Sequence, residues 1–579
     1  MAQELIQYFG TSLQEEFHPQ LLTIAKIFQI SINELYINWE SFVITKNNDD
    51  DKFTAENFDR LQHFIQDKLS KRRQTPSTNK IKKIVKQTFS PYDNTNNNTP
   101  SSSILSTPLK KIKTNTGNAS SPLIASSPIT PSSSLKPQTK SGEIIESLND
   151  DIITINSLTE TNPIKLIANF DKAKYSFRSM RTKLLESADV LDEQIEHFIT
   201  IFQEHYKILI SNPSVISQDE IYTVGRIVGD NPNIPITDPL NSQSLSLETS
   251  RLLGVGKRIP LDLSKLSNFQ IFQGQIICCK GKNPSGESFK ISEILTPPLL
   301  GSNSLTFDEL NFDNDIKISL FKGPYTTNNE LNYDKLNKIV FDLNSKNNSN
   351  LVILLGPFID INHPSIIDGD LGEPLEGNPK TLDEYFQKII VATLRKINPK
   401  IHILLIPSLS DTSTKFNSYP QNSISPNLLK NANKNIKSFP NPSIFQINDI
   451  SIGISNLDIF KNCKDIISNS KQNRFDRIVN YIIEQRKFYP VFPTLESLEL
   501  PYFGLTEFQS IPDILILPSD LKPFAKIIKN VLVINPGIFL KSYAEVSIKR
   551  ASDDTITKID NELYINEIWK RAKVEIIKS

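Results

Sequence analysis

The spacing of apolar positions changes twice along the chain, and the changes divide it. Between residues 4 and 73 the period is helical. Ser12 with Glu15 and Ser31 with Glu34 match the S-x-x-E capping box, which satisfies free N–H groups at a helix start. Leu35, Trp39, Phe42 and Val43 then share one face. Phe58, Leu61, Ile65 and Leu69 repeat the pattern before Lys71, Arg72 and Arg73 bring positive charge to a carboxyl end. This spacing predicts a helical bundle over 1–75, a packed or partner-docking module without catalytic residues.

From Pro76 to Lys140 the period is lost. More than half of these residues are Ser, Thr, Asn or Pro, and Asp93 is the only acid. Such a stretch buries too little apolar surface to offset ordering entropy, so a disordered tether is expected over 76–160. Proline-directed phosphorylation candidates are Thr75, Ser90, Thr99, Thr107, Ser121, Ser127 and Thr130, and Lys110 gives the Thr107 segment the basic residue of a cyclin-dependent-kinase site. Arg72, Arg73, Lys82, Lys83, Lys110, Lys111 and Lys113 suit nuclear import or a solvated linker.

Linking helices are expected over 161–215, where Leu191, Ile195, Phe198, Ile199, Phe202 and Tyr206 form an amphipathic face. Beyond Ile221 the period shortens. YTVGRIVGD, SLSLETSRL, GKRIPLDLSKL, FQIFQGQIICCKGKN and ESFKISEIL are five strand-like runs separated by Gly, Pro and Asn, predicting an OB-fold barrel over 216–305. Its strands carry few aromatics (Tyr222, Phe269, Phe272, Phe289) and no basic stripe, which favours protein docking over nucleic-acid binding. Gly256-Lys257 has Arg at 251 and at 258, so it is no P-loop. Cys278 and Cys279 alternate faces of one strand, where a thiol serves as a small hydrophobe.

In 306–579, apolar runs end in loop residues: ISLFKGPYT, LVILLGPFID, HILLIPSLSD, DILILPSDL and VLVINPG. Helical stretches at 382–396 and 475–485 alternate with them, predicting an α/β sandwich whose strand ends converge on one rim. Asp360 and His363 are the rim's acid and imidazole. They read as a capped loop rather than a metal site, because one carboxylate and one imidazole do not hold two cations. Asp368, Asp370, Glu373 and Glu376 read as a solvated loop.

Composition narrows the class. The 579 residues exceed one core, and 64 basic residues balance 64 acidic ones, so nothing global favours a nucleic-acid coat or a membrane surface. Three cysteines make neither a disulfide framework nor a cysteine zinc site. No apolar run approaches about 18 residues and no secretory signal pattern opens the chain, so a soluble intracellular protein is expected.

The rim is similar to that of calcineurin-like phosphoesterases, whose strand ends carry D-x-H, G-D-x-x-D, G-N-H-[DE], a lone His and G-H-x-H around two metals. Here the first position is Gly323-Pro324-Tyr325, the second runs from Gly356-Pro357 to Asp360, and the third falls at Pro407-Ser408. Ser455 to Asp458 occupies the place of the lone His, Ser519-Asp520 that of G-H-x-H, and Asn535-Pro536-Gly537 matches the turn after it. The resemblance therefore implies a phosphoesterase sandwich that lacks its metal site, with no cofactor. GPFIDINHPSI, QRKFYPVFP, PDILILPSDLKPF and VINPG, together with LDLSKL and FQGQIICCKGKNPSG, resemble the B-subunit family of DNA polymerase alpha. That resemblance implies a noncatalytic, multidomain α+β scaffold in the nucleus. Its implied partners are the C-terminal domain of the catalytic subunit, primase subunits through the complex, DNA indirectly, and other replication or telomere-capping factors, with no membrane. B subunits of polymerases delta and epsilon, an active phosphodiesterase and a single-strand binder are the alternatives.

Overall fold

The computed structural model describes residues 141–579 apart from 153–163, 178–180, 230–239, 242–243, 328–329, 347–348, 372–378, 415, 470 and 560–561, together with scattered positions between 17 and 65. The chain divides into two units, Met1–Pro128 and Ile129–Ser579. In the first, Leu35, Trp39, Leu61 and Ile65 are helical and buried, while Phe42, Val43, Phe58 and Leu69 of the expected faces lie outside the described residues. The two capping boxes, the phosphorylation candidates and the basic cluster lie outside the described residues, as do Glu373 and Glu376.

The second unit is built on two stacked sheets. The seven-stranded sheet runs in the order Ile144–Leu148, Ala572–Lys578, Ser542–Ile548, Ile316–Lys322, Leu351–Leu355, His402–Ile406, Ile436–Ser438. The six-stranded one runs Phe524–Ile528, Val531–Asn535, Ile514–Ile516, Ile450–Ile454, Ser443–Ile447, Leu166–Ala168. Leu351–Leu355 is parallel to both neighbours and every residue of it is buried, as a run apolar on both faces requires. Leu351, Ile353 and Leu355 enter the core between the sheets. Val352 and Leu354 face the layer that contains Asp334–Lys346 and the helical run from Leu382. Each such side chain contributes roughly 1.5–3 kcal/mol by leaving water.

Two expectations from composition need correcting. Ile144–Leu148, assigned to the tether, is an edge strand antiparallel to the C-terminal Ala572–Lys578. Leu166–Ala168, assigned to linking helices, is a strand against Ser443–Ile447. Both are short and half exposed, so their own composition carries little strand signal and the ready-made sheet edge decides.

The linking helix is Leu184–Tyr206, and its Ile195, Phe198, Ile199 and Phe202 pack on the barrel. Arg251, at the first position of the failed P-loop pattern, holds it through Asp189 and Asp192 at 2.6 and 3.1 Å. The barrel closes in the order Ser217–Gly229, Leu245–Glu248, Arg258–Asp262, Phe289–Leu295, Ile276–Asn283. Cys279 points into its core and Cys278 towards the linking helix, so both thiols are buried packing groups. The run FQIFQGQIICCKGKN, expected as one strand, is two. Ile276–Asn283 stays in the barrel, while Phe269–Phe272 leaves it and pairs antiparallel with Asp465–Ser468 of the sandwich.

Candidate functional site

The rim is where the parallel strands end, and two polar networks tie its loops together. The first centres on Asp411, at the end of HILLIPSLSD. Its carboxylate accepts from the backbone N–H groups of Phe358 at 2.9 Å, Ile359 at 3.1 Å and Ser408 at 3.4 Å. Complete burial pushes this carboxyl up to about 7, with the three backbone donors pulling the other way. Gly356 is required beside it, since a Cβ there would stand 2.2 Å from Asp411 Oδ2. Asn456 completes the network. Its Nδ2 donates to the carbonyls of Gly356 and Pro407, each at 3.1 Å, and its own N–H donates to Asn441 Oδ1 at 2.8 Å.

The second network is ionic. Lys322, the last residue before Gly323-Pro324-Tyr325, pairs with Asp520, which also pairs with Lys461. Asp458 accepts from Ser519 Oγ at 2.8 Å and from the Asp520 N–H at 3.1 Å. Asn535 Oδ1 accepts from Ser519 N and Gly537 N at 2.9 and 3.0 Å, which fixes the Asn-Pro-Gly turn. Burial opposes ionisation of Asp520, but the two ammonium groups outweigh it and hold its carboxyl below the ordinary 3.8.

The remaining rim residues make hydrogen bonds within the rim loops and to the strand ends. Tyr325 is fully buried and donates to the Leu355 carbonyl at 3.0 Å. His363 caps the short helix Pro364–Ile367: its Nδ1 accepts from Ser365 N at 3.2 Å and its Nε2 lies 2.9 Å from the Thr327 carbonyl. Asp360 accepts from Asn362 N at 2.9 Å. Pro324 and Pro357 follow cis peptide bonds, and Ser408 Oγ bonds that of Ser410 at 3.1 Å.

The two-cation centre of calcineurin-like phosphoesterases does not fit these residues. It needs carboxylate and imidazole lone pairs converging within about 4 Å of two ions. Here Lys322 and Lys461 bring ammonium groups, Asn456 presents amide donors, and both His363 nitrogens are engaged in the loop. Among the described residues no group of three or more His, Cys, Asp or Glu side chains is placed to hold a metal. Asp411, Asn441, Lys322 and Lys461 are not singled out by the sequence motifs. Only the position of Asp411 at a strand's carboxyl end hinted at a role.

The other motif with a clear place is QRKFYPVFP, Gln485 to Pro493, which joins sandwich to barrel. Gln485 forms a paired amide contact with the backbone of Ile276, accepting from N at 2.9 Å and donating to O at 3.0 Å. Arg486 donates to the Pro298 carbonyl at 2.8 Å, and Phe492 N to that of Gln273 at 3.3 Å. Gly274 lies against this segment with φ +91°, and a Cβ there would meet Phe492 N at 2.4 Å. Phe272 is buried with its ring tilted against Tyr481 of the sandwich, centroids 4.7 Å apart, and Phe289 is in the barrel core, so neither serves as an exposed base-stacking platform.

Known proteins resemble the chain in both parts. The B-subunit family of DNA polymerases alpha and epsilon matches residues 318–526, and the OB domain of the DNA polymerase alpha B subunit matches 188–297. The DNA polymerase alpha B subunit of Saccharomyces cerevisiae is 33% identical, over 100% of this chain and 99% of its own. That of Schizosaccharomyces pombe is 32% identical over 97% and 99%, and that of Mus musculus 26% over 65% and 62%.

Proposed function

The chain belongs to the B-subunit family of DNA polymerase alpha, and we propose that it serves there as a noncatalytic scaffold that holds the catalytic subunit through its C-terminal domain. The observation that carries this reading is the rim: loops that would grip cations are instead tied to one another by Asp411, Asn456 and the Lys322–Asp520–Lys461 bridge. A sandwich of calcineurin-like type fixed this way offers a rigid binding surface in place of a reaction centre. The joint at Gln485 supports the scaffold role as well, because it makes barrel and sandwich one body for a partner that spans both.

In this reading the protein acts in DNA replication in the nucleus. It meets primase subunits through the complex and DNA indirectly, and serves telomere-capping or other replication factors as a docking platform. Residues 1–75 form a helical docking bundle, phosphorylation of the tether at one or more of its Ser/Thr-Pro positions regulates it, and the basic cluster from Arg72 to Lys113 directs import. None of the described helices is long and apolar enough to cross a membrane.

Co-purification tests the scaffold. A chain lacking residues 1–140 should retain the catalytic subunit's C-terminal domain, and deletion of both barrel and sandwich should release it. Retention after that deletion would sink the proposal. The purified protein should also leave an aryl phosphodiester intact with manganese or zinc present, and metal-dependent turnover abolished in Asp411→Ala would reverse the noncatalytic reading.

A further inference from the structure

The charge of this neutral chain is unevenly spread. From Phe386 to Asn448 it carries eight Lys or Arg residues and one acid, Asp411, which is buried in the rim. The fold gathers much of that excess at one edge of the seven-stranded sheet. Ile436–Ser438 is the edge strand, parallel to His402–Ile406, with Lys437 in register with Leu404. Asn433 Nδ2 donates to the Arg395 carbonyl at 3.2 Å and Asn435 Nδ2 to that of Ile401 at 2.7 Å, so the loop that carries Lys430 and Lys434 is laced to the turn that carries Arg395 and Lys396. Asn344 Nδ2 donates to the Lys396 carbonyl at 2.8 Å and ties the helix Asp334–Lys346 to the same turn.

Arg395, Lys396, Lys430, Lys434 and Lys437 are all exposed. Among the described residues, none of the five has a carboxylate within ion-pair distance. The acids of the adjoining helices are engaged elsewhere. Asp342 acts on Lys346. Asp383 and Glu384 stand at the opposite end of the helical run from Leu382, about 17 Å from Arg395 along its axis. There Glu384 pairs with Lys388 at 3.3 Å. A helix carboxyl end favours Arg395 and Lys396, but no helix accounts for the three lysines on loop and strand. The makeup of the surface is also wrong for a protein interface, which centres on aromatic and apolar anchors and is poor in lysine. Leu394, Ile397, Leu428 and Ile436 are turned into the core, and asparagines separate the lysines that remain outside. Lysine, arginine and asparagine side chains are the groups that hold phosphate oxygens. Phe341, 71% exposed on the neighbouring helix, is a single aromatic, whereas a single-strand site stacks successive bases on several.

We propose that this edge of the sandwich binds the phosphate backbone of duplex nucleic acid through Arg395, Lys396, Lys430, Lys434 and Lys437, without reading its sequence. The proposal goes beyond the scaffold role, in which DNA is met through the complex. Counterions released from the duplex drive such binding, so its signature is a steep dependence on salt.

Fluorescence anisotropy of a labelled DNA duplex of about 20 base pairs, titrated with the full-length chain over a range of salt, tests the surface. The logarithm of the binding constant should fall linearly with the logarithm of salt concentration, five phosphate contacts contributing about −4.5 to the slope. Lys430→Gln, Lys434→Gln and Lys437→Gln made together remove three contacts. The slope should then become shallower by about 2.7, and affinity at about 0.1 M salt should fall roughly 10-fold or more. The melting temperature should stay close to wild type, because all three side chains are exposed. Arginine at the same three positions should restore the slope. Duplexes of unrelated sequence should bind alike, and a single strand of the same length more weakly. An unchanged slope in the glutamine variant, as binding through the basic cluster from Arg72 to Lys113 alone would give, overturns the proposal. Tighter binding of the single strand, or of poly-glutamate, than of the duplex overturns it as well.

Discussion

Replacing Asp411 should separate what the carboxylate does for the rim from what its charge costs. The side chain is fully buried and accepts from three backbone N–H groups on two loops. Asp411→Ala strands all three. Each buried donor left without an acceptor costs about 1–3 kcal/mol, and the 3.4 Å contact to Ser408 is the weakest, so a loss of roughly 3–5 kcal/mol is expected. Asp411→Asn keeps one oxygen for Phe358 and Ile359 and should cost about 1 kcal/mol at acid pH, where Asp411 is itself uncharged, and less as pH rises towards 7. The two variants also differ in pH response. Folding raises this carboxyl from 3.8 to about 7, so the folded state binds the proton more tightly than the unfolded state. Its contribution is therefore fully present below about pH 4 and is lost as pH rises towards 7, by roughly 4 kcal/mol across that window. Asp513 is raised to about 7 by burial as well, so the wild type carries two such slopes and Asp411→Asn should retain one. Urea denaturation at pH 5 and pH 7.5 measures both quantities. If Asp411→Ala lies within about 1 kcal/mol of wild type, or Asp411→Asn keeps the full wild-type pH slope, the carboxylate does not organise the rim.

Three further outcomes are expected. Gly274→Ala drives a Cβ against the Phe492 backbone at a left-handed φ and should destabilise by roughly 2–4 kcal/mol, seen as faster limited proteolysis between barrel and sandwich; wild-type proteolysis would show that the joint yields. Gln485→Ala removes both amide contacts to Ile276 and should cost about 2–4 kcal/mol, with hydrogen exchange at the Ile276 amide rising first. Lys487 binds its proton less tightly when folded, so its contribution should raise stability between about pH 8 and pH 10.5, and a pH series on Lys487→Met should lack that rise.

The strand runs, their chain order and the linking helix follow from local patterns of apolar residues, because burial on one face or two imposes a period on the residues that enter it. LVILLGPFID reads as a buried strand with an open end, and Leu351–Leu355 is one. The mismatch with the D-x-H motif is equally plain in the sequence, since D-x-H cannot be made from Gly323-Pro324-Tyr325. What replaced them was not legible. Asp411 reaches Phe358 across 53 residues, Asn456 reaches Gly356 across 100, and Gln485 reaches Ile276 across 209. At such separations no spacing rule connects donor to acceptor. The edge strand Ile144–Leu148 was hidden for a related reason, because its partner is the far C-terminal strand Ala572–Lys578. Local pattern thus specifies the elements and the departure of the rim from the metal-binding motifs. That buried carboxylate, amide and ammonium groups bind the rim loops together is a property of the folded chain, because only folding brings those groups within hydrogen-bond reach and out of water.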